Sequence, residues 1–320
     1  MKISVMGCGR WGTFIAWYLN RVGHEVVLWG RPQSEHMQAL IDQRKNEYLE
    51  IGEQITLSAD LSFAAKYCDV MIISINSQNL RAFSVQLSDC EIDGKTIVLC
   101  MKGLENKTGL RLTQVVGEVL GSRVNSAVWV GPGHVQDFLA GIPNCMVIDS
   151  DNEKVKKMLV DSFSSELIRF YYGCDLIGSE VGAAAKNVIG IAAGVLDALH
   201  LTSLKGALMA RGTREIARLI KAMGGNELSA YGLTHLGDYE ATVFSPHSHN
   251  RKFGETLVTK EPFPYLAEGI ETAEALMVLK ERYHTELPIC TAVHETIQYG
   301  KDPKQAIADL FLRSIKEEFS

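Results

Sequence analysis

The sequence predicts an α/β chain in two parts: a doubly wound, largely parallel sheet over residues 1–175, then an all-α domain over residues 176–320. Three observations carry this. Short apolar, β-prone runs alternate with helical stretches up to about residue 172, the pattern of strands buried on both faces and joined by crossover helices. A glycine-rich turn directly follows the first of these runs. From Val181 onward β signals nearly vanish and long helical periods take over.

The first run, Lys2-Ile3-Ser4-Val5-Met6, enters Gly7-Cys8-Gly9-Arg10-Trp11-Gly12 and then an apolar helix over 13–22. The three glycines have G-x-G-x-x-G spacing in the strand–turn–helix setting of a dinucleotide fingerprint. Gly7 permits the tight turn, Gly9 lets a pyrophosphate approach the backbone, and Gly12 lets helix pack on strand. The helix start offers N–H groups and the positive end of its dipole to phosphates. A second strand, 24–29, ends in Gly30-Arg31, without the carboxylate that would take the ribose hydroxyls of NAD. Two readings of Arg31 are open: a planar cation for a 2′-phosphate, or a solvated loop arginine.

The alternation continues with a helix over 34–46, a strand at 55–57, a helix over 61–66 and strands at 69–75 and 96–100 around a helix at 79–87. A helix over 108–120 and a strand at 128–130 follow, the latter closed by Gly131-Pro132-Gly133. Strands at 145–148 and 168–172 flank a helix over 153–163. In the second part, the helix over 181–199 is rich in Ala and Gly, so other backbone can approach it closely. The next, 204–223, stops at Gly224-Gly225; helices over 265–283 and 289–299 follow, and Pro303 opens the last at its first position. A helix, not a flexible linker, joins the halves, which favours a shared cleft.

Composition narrows the function. Hydrophobic residues at 46% and charged residues at 22% exclude global disorder. A formal charge of −6 argues against a nucleic-acid or anionic-membrane partner. No uninterrupted apolar run reaches spanning length, and Arg10 breaks the one amino-terminal stretch that resembles a leader, so a cytoplasmic protein is expected. The seven cysteines are odd in number, scattered and without a C-x-x-C pair, which points to free thiols. His235, His247 and His249 lack metal-ligand spacing, so no metal is expected.

Candidate chemistry falls in four blocks. Met101-Lys102-Gly103-Leu104-Glu105 sits at the carboxyl end of a buried strand, where open α/β sheets bind ligands. Lys102 there either holds a phosphate or carbonyl or is a surface lysine. In Glu180-Val181-Gly182-Ala183-Ala184-Ala185-Lys186-Asn187, a lysine lies in an otherwise apolar helix. Buried, its pKa falls toward neutrality, as a general acid for reducing a ketone requires; otherwise its head snorkels to the surface. Residues 232–242 and 248–254 gather hydroxyls, an amide, a carboxylate and cations in an irregular stretch suited to binding an anion.

Gly7-Cys8-Gly9-Arg10-Trp11-Gly12-Thr13, Lys102-Gly103-Leu104-Glu105, Gly182 to Asn187, Gly237-Asp238 with Thr242, and Ala267-Glu268-Gly269 resemble the NAD(P)-dependent glycerol-3-phosphate dehydrogenases in order and spacing. The likeness covers nearly the whole chain, to the Asp302-Pro303 helix. It implies an amino-terminal Rossmann domain, a helical substrate domain, and NAD(P)H-dependent reversible reduction of dihydroxyacetone phosphate to sn-glycerol 3-phosphate by a homodimer. By position it implies that Lys186 is the acid/base, with Lys102 and Asp238 in the catalytic group. Substrate contacts would come from Lys102, Gly131, Gly133, Lys186, Asn187, Asp238, Thr242, Ser248, His249, Asn250 and Arg251. The cofactor would lie on Gly7, Gly9, Arg10, Trp11, Gly12, Arg31, Lys102, Val135 and Glu268.

Two departures fall on the substrate side. The family's Gly-Pro-Ser/Thr-Phe-Ala is here Gly131-Pro132-Gly133-His134-Val135, and its Ser-Arg-Asn-Arg is Ser248-His249-Asn250-Arg251. A hydroxyl and the arginine that would grip the phosphate are missing, and histidine, unlike arginine, titrates near neutrality. Either His249 or Arg251 could then take the phosphate. Rival readings are a dehydrogenase of the same architecture for another small, perhaps unphosphorylated, hydroxy/oxo compound, and a non-catalytic nucleotide-binding sensor.

Overall fold

The structure is a computed structural model and describes residues 1–315, 317 and 318. The chain forms two compact units. The first comprises Met1–Met101 and Leu112–Cys174; the second takes Lys102–Arg111 and the chain from Asp175 onward.

The first unit runs β1 (Lys2–Met6), α1 (Arg10–Arg21), β2 (Glu25–Trp29), α2 (Glu35–Gln43), β3 (Thr56–Ser58), α3 (Leu61–Tyr67), β4 (Val70–Ile73), α4 (Leu80–Ser88) and β5 (Thr96–Leu99). It continues with α5 (Leu112–Leu120), β6 (Asn125–Val130), α6 (Val135–Leu139), β7 (Asn144–Asp149), α7 (Glu153–Phe163) and β8 (Ile168–Tyr172). The eight strands are ordered β3-β2-β1-β4-β5-β6-β7-β8, parallel throughout except for the β6–β7 pair. The doubly wound, largely parallel sheet read from the sequence is therefore present. Its central strands β1, β4 and β5 are buried on both faces and mostly apolar, as parallel strands covered on both sides are. Trp129 on β6 is fully buried, with the Phe170 ring edge-on at 4.8 Å and Tyr18 at 6.0 Å. Truncating a core indole of this kind costs about 3–5 kcal/mol.

The structure differs from the sequence reading in several details. The helix expected over 181–199 begins at Leu176, and His249–Thr259, read as part of an irregular stretch, is helical because Ser248 caps it. The helix expected from residue 108 starts at Leu112, because Gly109 adopts φ +66° and Leu104 pairs with Arg111 across a loop. The short helix α6 follows β6, too brief to leave a hydrophobic period. In the second unit, residues 265–268 lie outside the helix expected there, which begins at Gly269.

The second unit holds α8 (Leu176–Ala198), α9 (Lys205–Ala222), α10 (His249–Thr259), α11 (Gly269–Arg282), α12 (Pro288–Gln298) and α13 (Pro303–Phe311). Helix α8 is its axis. It is long and apolar enough to cross a membrane, but 83% of that stretch is buried within the protein. The small residues on α8 admit α10 at close range: a Cβ on Gly194 would strike the Arg251 carbonyl, and one on Gly254 the Ile191 carbonyl. Before α10 the chain makes a 3₁₀ turn (Leu236–Asp238) and a single π turn (Glu240–Phe244). Single π turns of this kind are frequent at functional sites.

Candidate active site

In the first unit the fingerprint turn is shaped by close packing. Gly7 adopts φ +118° and donates its N–H to Trp29 O at 2.9 Å; a Cβ there would strike the Ser74 carbonyl. A Cβ on Gly12 would strike the Gly7 carbonyl. Gly9 is different: a Cβ there meets nothing within 4 Å, so the protein's own packing does not require glycine. Gly9 is also the N-cap of α1 and, having no side chain, supplies no side-chain cap. An open glycine over uncapped helical N–H groups fits a pyrophosphate. On this turn Arg10 stacks over the Tyr48 ring at 5.2 Å, and Trp11 packs on Phe14 and Trp129.

The missing carboxylate after β2 has a packing cause. A Cβ on Gly30 would come within 2.5 Å of Cys8 Sγ and 2.9 Å of Met37 Sδ, so any side chain there would require Cys8 and Met37 to shift. Arg31 is exposed. Burial pushes the Cys8 thiol up, against the hydrogen bond from Ser34 and the charge of Arg31.

The loop after β6 also has a steric logic. Gly131 (φ +128°) and Gly133 (φ +145°) both need the left-handed region, and a Cβ on Gly133 would run into the Phe138 ring. The serine or threonine of the resembling family therefore cannot stand here without moving Phe138. Val135 is buried as the first residue of α6.

In the second unit the predicted catalytic residues meet. Asp238, fully buried at the end of the 3₁₀ turn, accepts from Lys102 Nζ at 2.6 Å and lies 3.0 Å from Lys186 Nζ, both on Oδ2. Lys186 Nζ also donates to Thr242 Oγ1 at 2.8 Å, and Thr242 Oγ1 donates to the Asp238 carbonyl at 2.8 Å. Asp238 Oδ1 is buried without a hydrogen-bond partner among the described residues. The π turn is what aims Thr242 at the lysine. Asn187, the next residue on α8, donates to the Lys102 carbonyl at 3.0 Å and so ties the loop to the helix.

Burial lowers the Lys186 pKa to about 8; Asp238 opposes the shift, Lys102 adds to it, and Glu268 raises it. The lysine does not snorkel. Two ammonium groups on one buried carboxylate leave local positive charge, which suits an oxygen that gains negative charge.

The remaining expected substrate residues divide. Asn250 Oδ1 accepts from Gly269 N at 2.9 Å, and its Cβ would crowd any Cβ placed on Gly190 of α8, so it is held close to that helix. Ser248 caps α10 by accepting from Arg251 N at 3.3 Å. His249 is half-buried, with Nδ1 3.3 Å from Leu266 O and its ring 5.1 Å from that of Tyr265. Arg251, open as a phosphate ligand on sequence grounds, has its guanidinium on Asp197 at 2.5 Å, Glu255 at 2.7 Å and Ser245 O at 3.1 Å. Asp197 on α8 and Glu255 one turn along α10 neutralise it, so it serves the α8–α10 contact.

Two neighbours had no assigned role in the sequence. His235 and Tyr239 are fully buried beside Asp238, and their i, i+4 ring spacing was the available signal. Elsewhere in this unit, a cavity of about 590 Å³ lined by Ile191, Val195, Leu208, Arg218, Ile289 and Ile307 includes none of the predicted catalytic residues.

A glycine-rich turn on a doubly wound sheet, with a buried lysine and a partly buried one sharing a carboxylate in a helical unit, is the arrangement of a dinucleotide-linked dehydrogenase of the two-domain class. Models of the NAD-dependent glycerol-3-phosphate dehydrogenase amino and carboxyl termini match residues 2–156 and 175–308. The chain belongs to this family of NAD(P)-dependent oxidoreductases. It is 34% identical to the glycerol-3-phosphate dehydrogenase [NAD(P)+] of Chlorobium phaeobacteroides, over 99% of both chains. The enzyme of the same name from Thermoanaerobacter sp. is 32% identical over 99% of both. The crystal structure of glycerol-3-phosphate dehydrogenase from Coxiella burnetii superposes with a TM-score of 0.90 at 28% identity, covering 98% of this chain and 99% of that one.

Proposed function

We propose that this member of the family interconverts dihydroxyacetone phosphate and sn-glycerol 3-phosphate, with Lys186 as general acid in reduction and general base in oxidation. The observation that carries the reading is the Lys102–Asp238–Lys186–Thr242 cluster, a buried lysine whose pKa is lowered to about 8 and which shares one carboxylate with a second lysine. Gly7, Gly9, Gly12, Trp11 and Arg31 would hold the dinucleotide; NAD(P)H, when bound, supplies the hydride. Asp238 and Thr242 hold two of the Lys186 hydrogens and leave the third for the substrate oxygen. Lys186 then gives up that proton as negative charge develops on the oxygen, and Lys102 stabilises the same charge.

The open approach to Arg31 and the lack of a carboxylate after β2 support use of NADPH. We further propose a cytoplasmic homodimer. A second reading rests on Gly133 and Arg251: with no hydroxyl at one and the other held by two carboxylates, the site suits a carbonyl compound without a phosphate. Steady-state NADPH and NADH oxidation over a panel of phosphorylated and plain ketones decides between them. Dihydroxyacetone phosphate should have a kcat/KM at least ~10²-fold above dihydroxyacetone, as a fully used charged contact implies. Equal values would favour the second reading, and no turnover with any ketone would overturn both.

A further inference from the structure

We infer that His235 and Tyr239 form a buried latch that holds Asp238 and Thr242 at hydrogen-bonding distance of Lys186, and that both are positioning residues for its proton transfer. The inference rests on the reading of Lys186 as acid/base.

His235 Nδ1 lies 2.8 Å from the Gly182 carbonyl of α8, one helical turn before Lys186. Its Nε2 lies 2.7 Å from the Tyr239 hydroxyl. A carbonyl can only accept, so Nδ1 carries the hydrogen, and the tyrosine hydroxyl donates to Nε2. Both rings have zero exposure and cross edge to face, centroids 4.9 Å apart. The latch therefore grips α8 on one side of Asp238 and closes on the residue directly after it. The approach is tight: a Cβ on Gly182 would sit 3.0 Å from His235 Cβ, tighter than ordinary contact. The Tyr239 carbonyl accepts from Thr242 N at 3.1 Å and Val243 N at 2.6 Å, so the same residue anchors the π turn that aims Thr242.

The charged and titratable groups around this assembly are few. Lys186 is faced by Asp238, Lys102 and Glu268, and His235 by Asp238 and Lys186. Tyr239 is faced by Thr213 and Glu215 on α9 and Cys290 on α12. Burial holds the His235 imidazole down to about 4, so the latch keeps one protonation state across the working range of an enzyme. Released from the latch, Asp238 would stand further from Lys186, and the ammonium would lose part of what opposes its desolvation.

The test uses the whole protein. Tyr239→Phe keeps the ring and removes one hydrogen bond. It should lower kcat for ketone reduction about 5-fold, the weight of one neutral hydrogen bond, and leave the cofactor KM unchanged. It should also move the alkaline limb of kcat to lower pH, because a less compensated ammonium loses its proton sooner. His235→Asn, which retains a donor near the Nδ1 position, should retain more activity than His235→Leu and serves if Tyr239→Phe does not fold. Independently of turnover, ¹⁵N spectra of histidine-labelled protein should show His235 as the neutral Nδ1–H tautomer from pH 5.5 to 9. An alkaline limb that stays put in Tyr239→Phe and His235→Asn, or an Nε2–H tautomer, overturns the latch. Lys186→Met separates this from failure of the underlying reading: wild-type turnover there removes the acid/base itself, whereas an inactive Lys186→Met beside unshifted latch variants removes only the latch.

Discussion

Asp238→Asn tests the electrostatics of the site most sharply, because it removes one charge and almost no volume. The Asp238 carboxylate stands 3.0 Å from Lys186 Nζ. At that distance and an effective dielectric near 20, the attraction is roughly 5 kcal/mol. Each pKa unit corresponds to about 1.4 kcal/mol. Part of the attraction is returned, since the asparagine oxygen still accepts from one lysine, and a fall of about two units is expected. Lys186 would then titrate near ~6 instead of about 8. The sign follows from the role: reduction needs the ammonium, so its rate is lost as pH rises through the lysine pKa. At pH 7 the protonated fraction should fall from about 0.9 to about 0.1, a loss in kcat of about 10-fold that is recovered on acidification. Oxidation needs the neutral amine, and its acid limb should move down by the same amount. The assay is kcat against pH, from 5.5 to 9.5, in both directions. A uniform loss with the limb still near 8 would refute the argument that Asp238 governs this lysine.

Arg31→Ala should weaken NADPH more than NADH, read as the ratio of the two dissociation constants; equal losses would remove Arg31 from the 2′-phosphate. Gly9→Ala adds a Cβ that meets nothing, so Tm should hold while dinucleotide affinity falls at least ~10-fold, whereas Gly133→Ser should lower stability by ~1–3 kcal/mol through its left-handed φ and the Phe138 ring. Unchanged dinucleotide binding in Gly9→Ala would show that no pyrophosphate approaches that backbone. His249→Arg should lower KM for dihydroxyacetone phosphate at pH 8.5, and an unchanged KM would put the phosphate contact elsewhere.

Much of this was written in the sequence as period and punctuation. The strands β1, β4 and β5 are mostly apolar runs because both their faces are covered, and α7 and β8 fall where the sequence put them. Lys186 stood out because a charge in so apolar a helix requires a partner, and Asp238 is that partner. What the sequence withheld is long-range. Nothing local shows that residues 102–111 belong with the helical unit, since that follows from contacts such as Lys102 with Asp238, 136 positions apart. The true orientation of Arg251 depends on Asp197, which a neighbour-by-neighbour reading cannot see. Gly30 read as a missing carboxylate, yet its cause is the approach of Cys8 and Met37. The His235–Tyr239 pair was hidden in a stretch that looked irregular because a 3₁₀ turn and a π turn leave no period.

The central claim, that Lys186 delivers the proton to the substrate oxygen, is tested most directly by turnover of Lys186→Ala with dihydroxyacetone phosphate, with and without a small primary amine in the buffer. The account predicts a loss in kcat of at least ~10²-fold, the usual weight of a general acid. Cofactor affinity should be kept, and added amine should restore part of the rate in proportion to its protonated fraction. Turnover close to wild type without amine would contradict it.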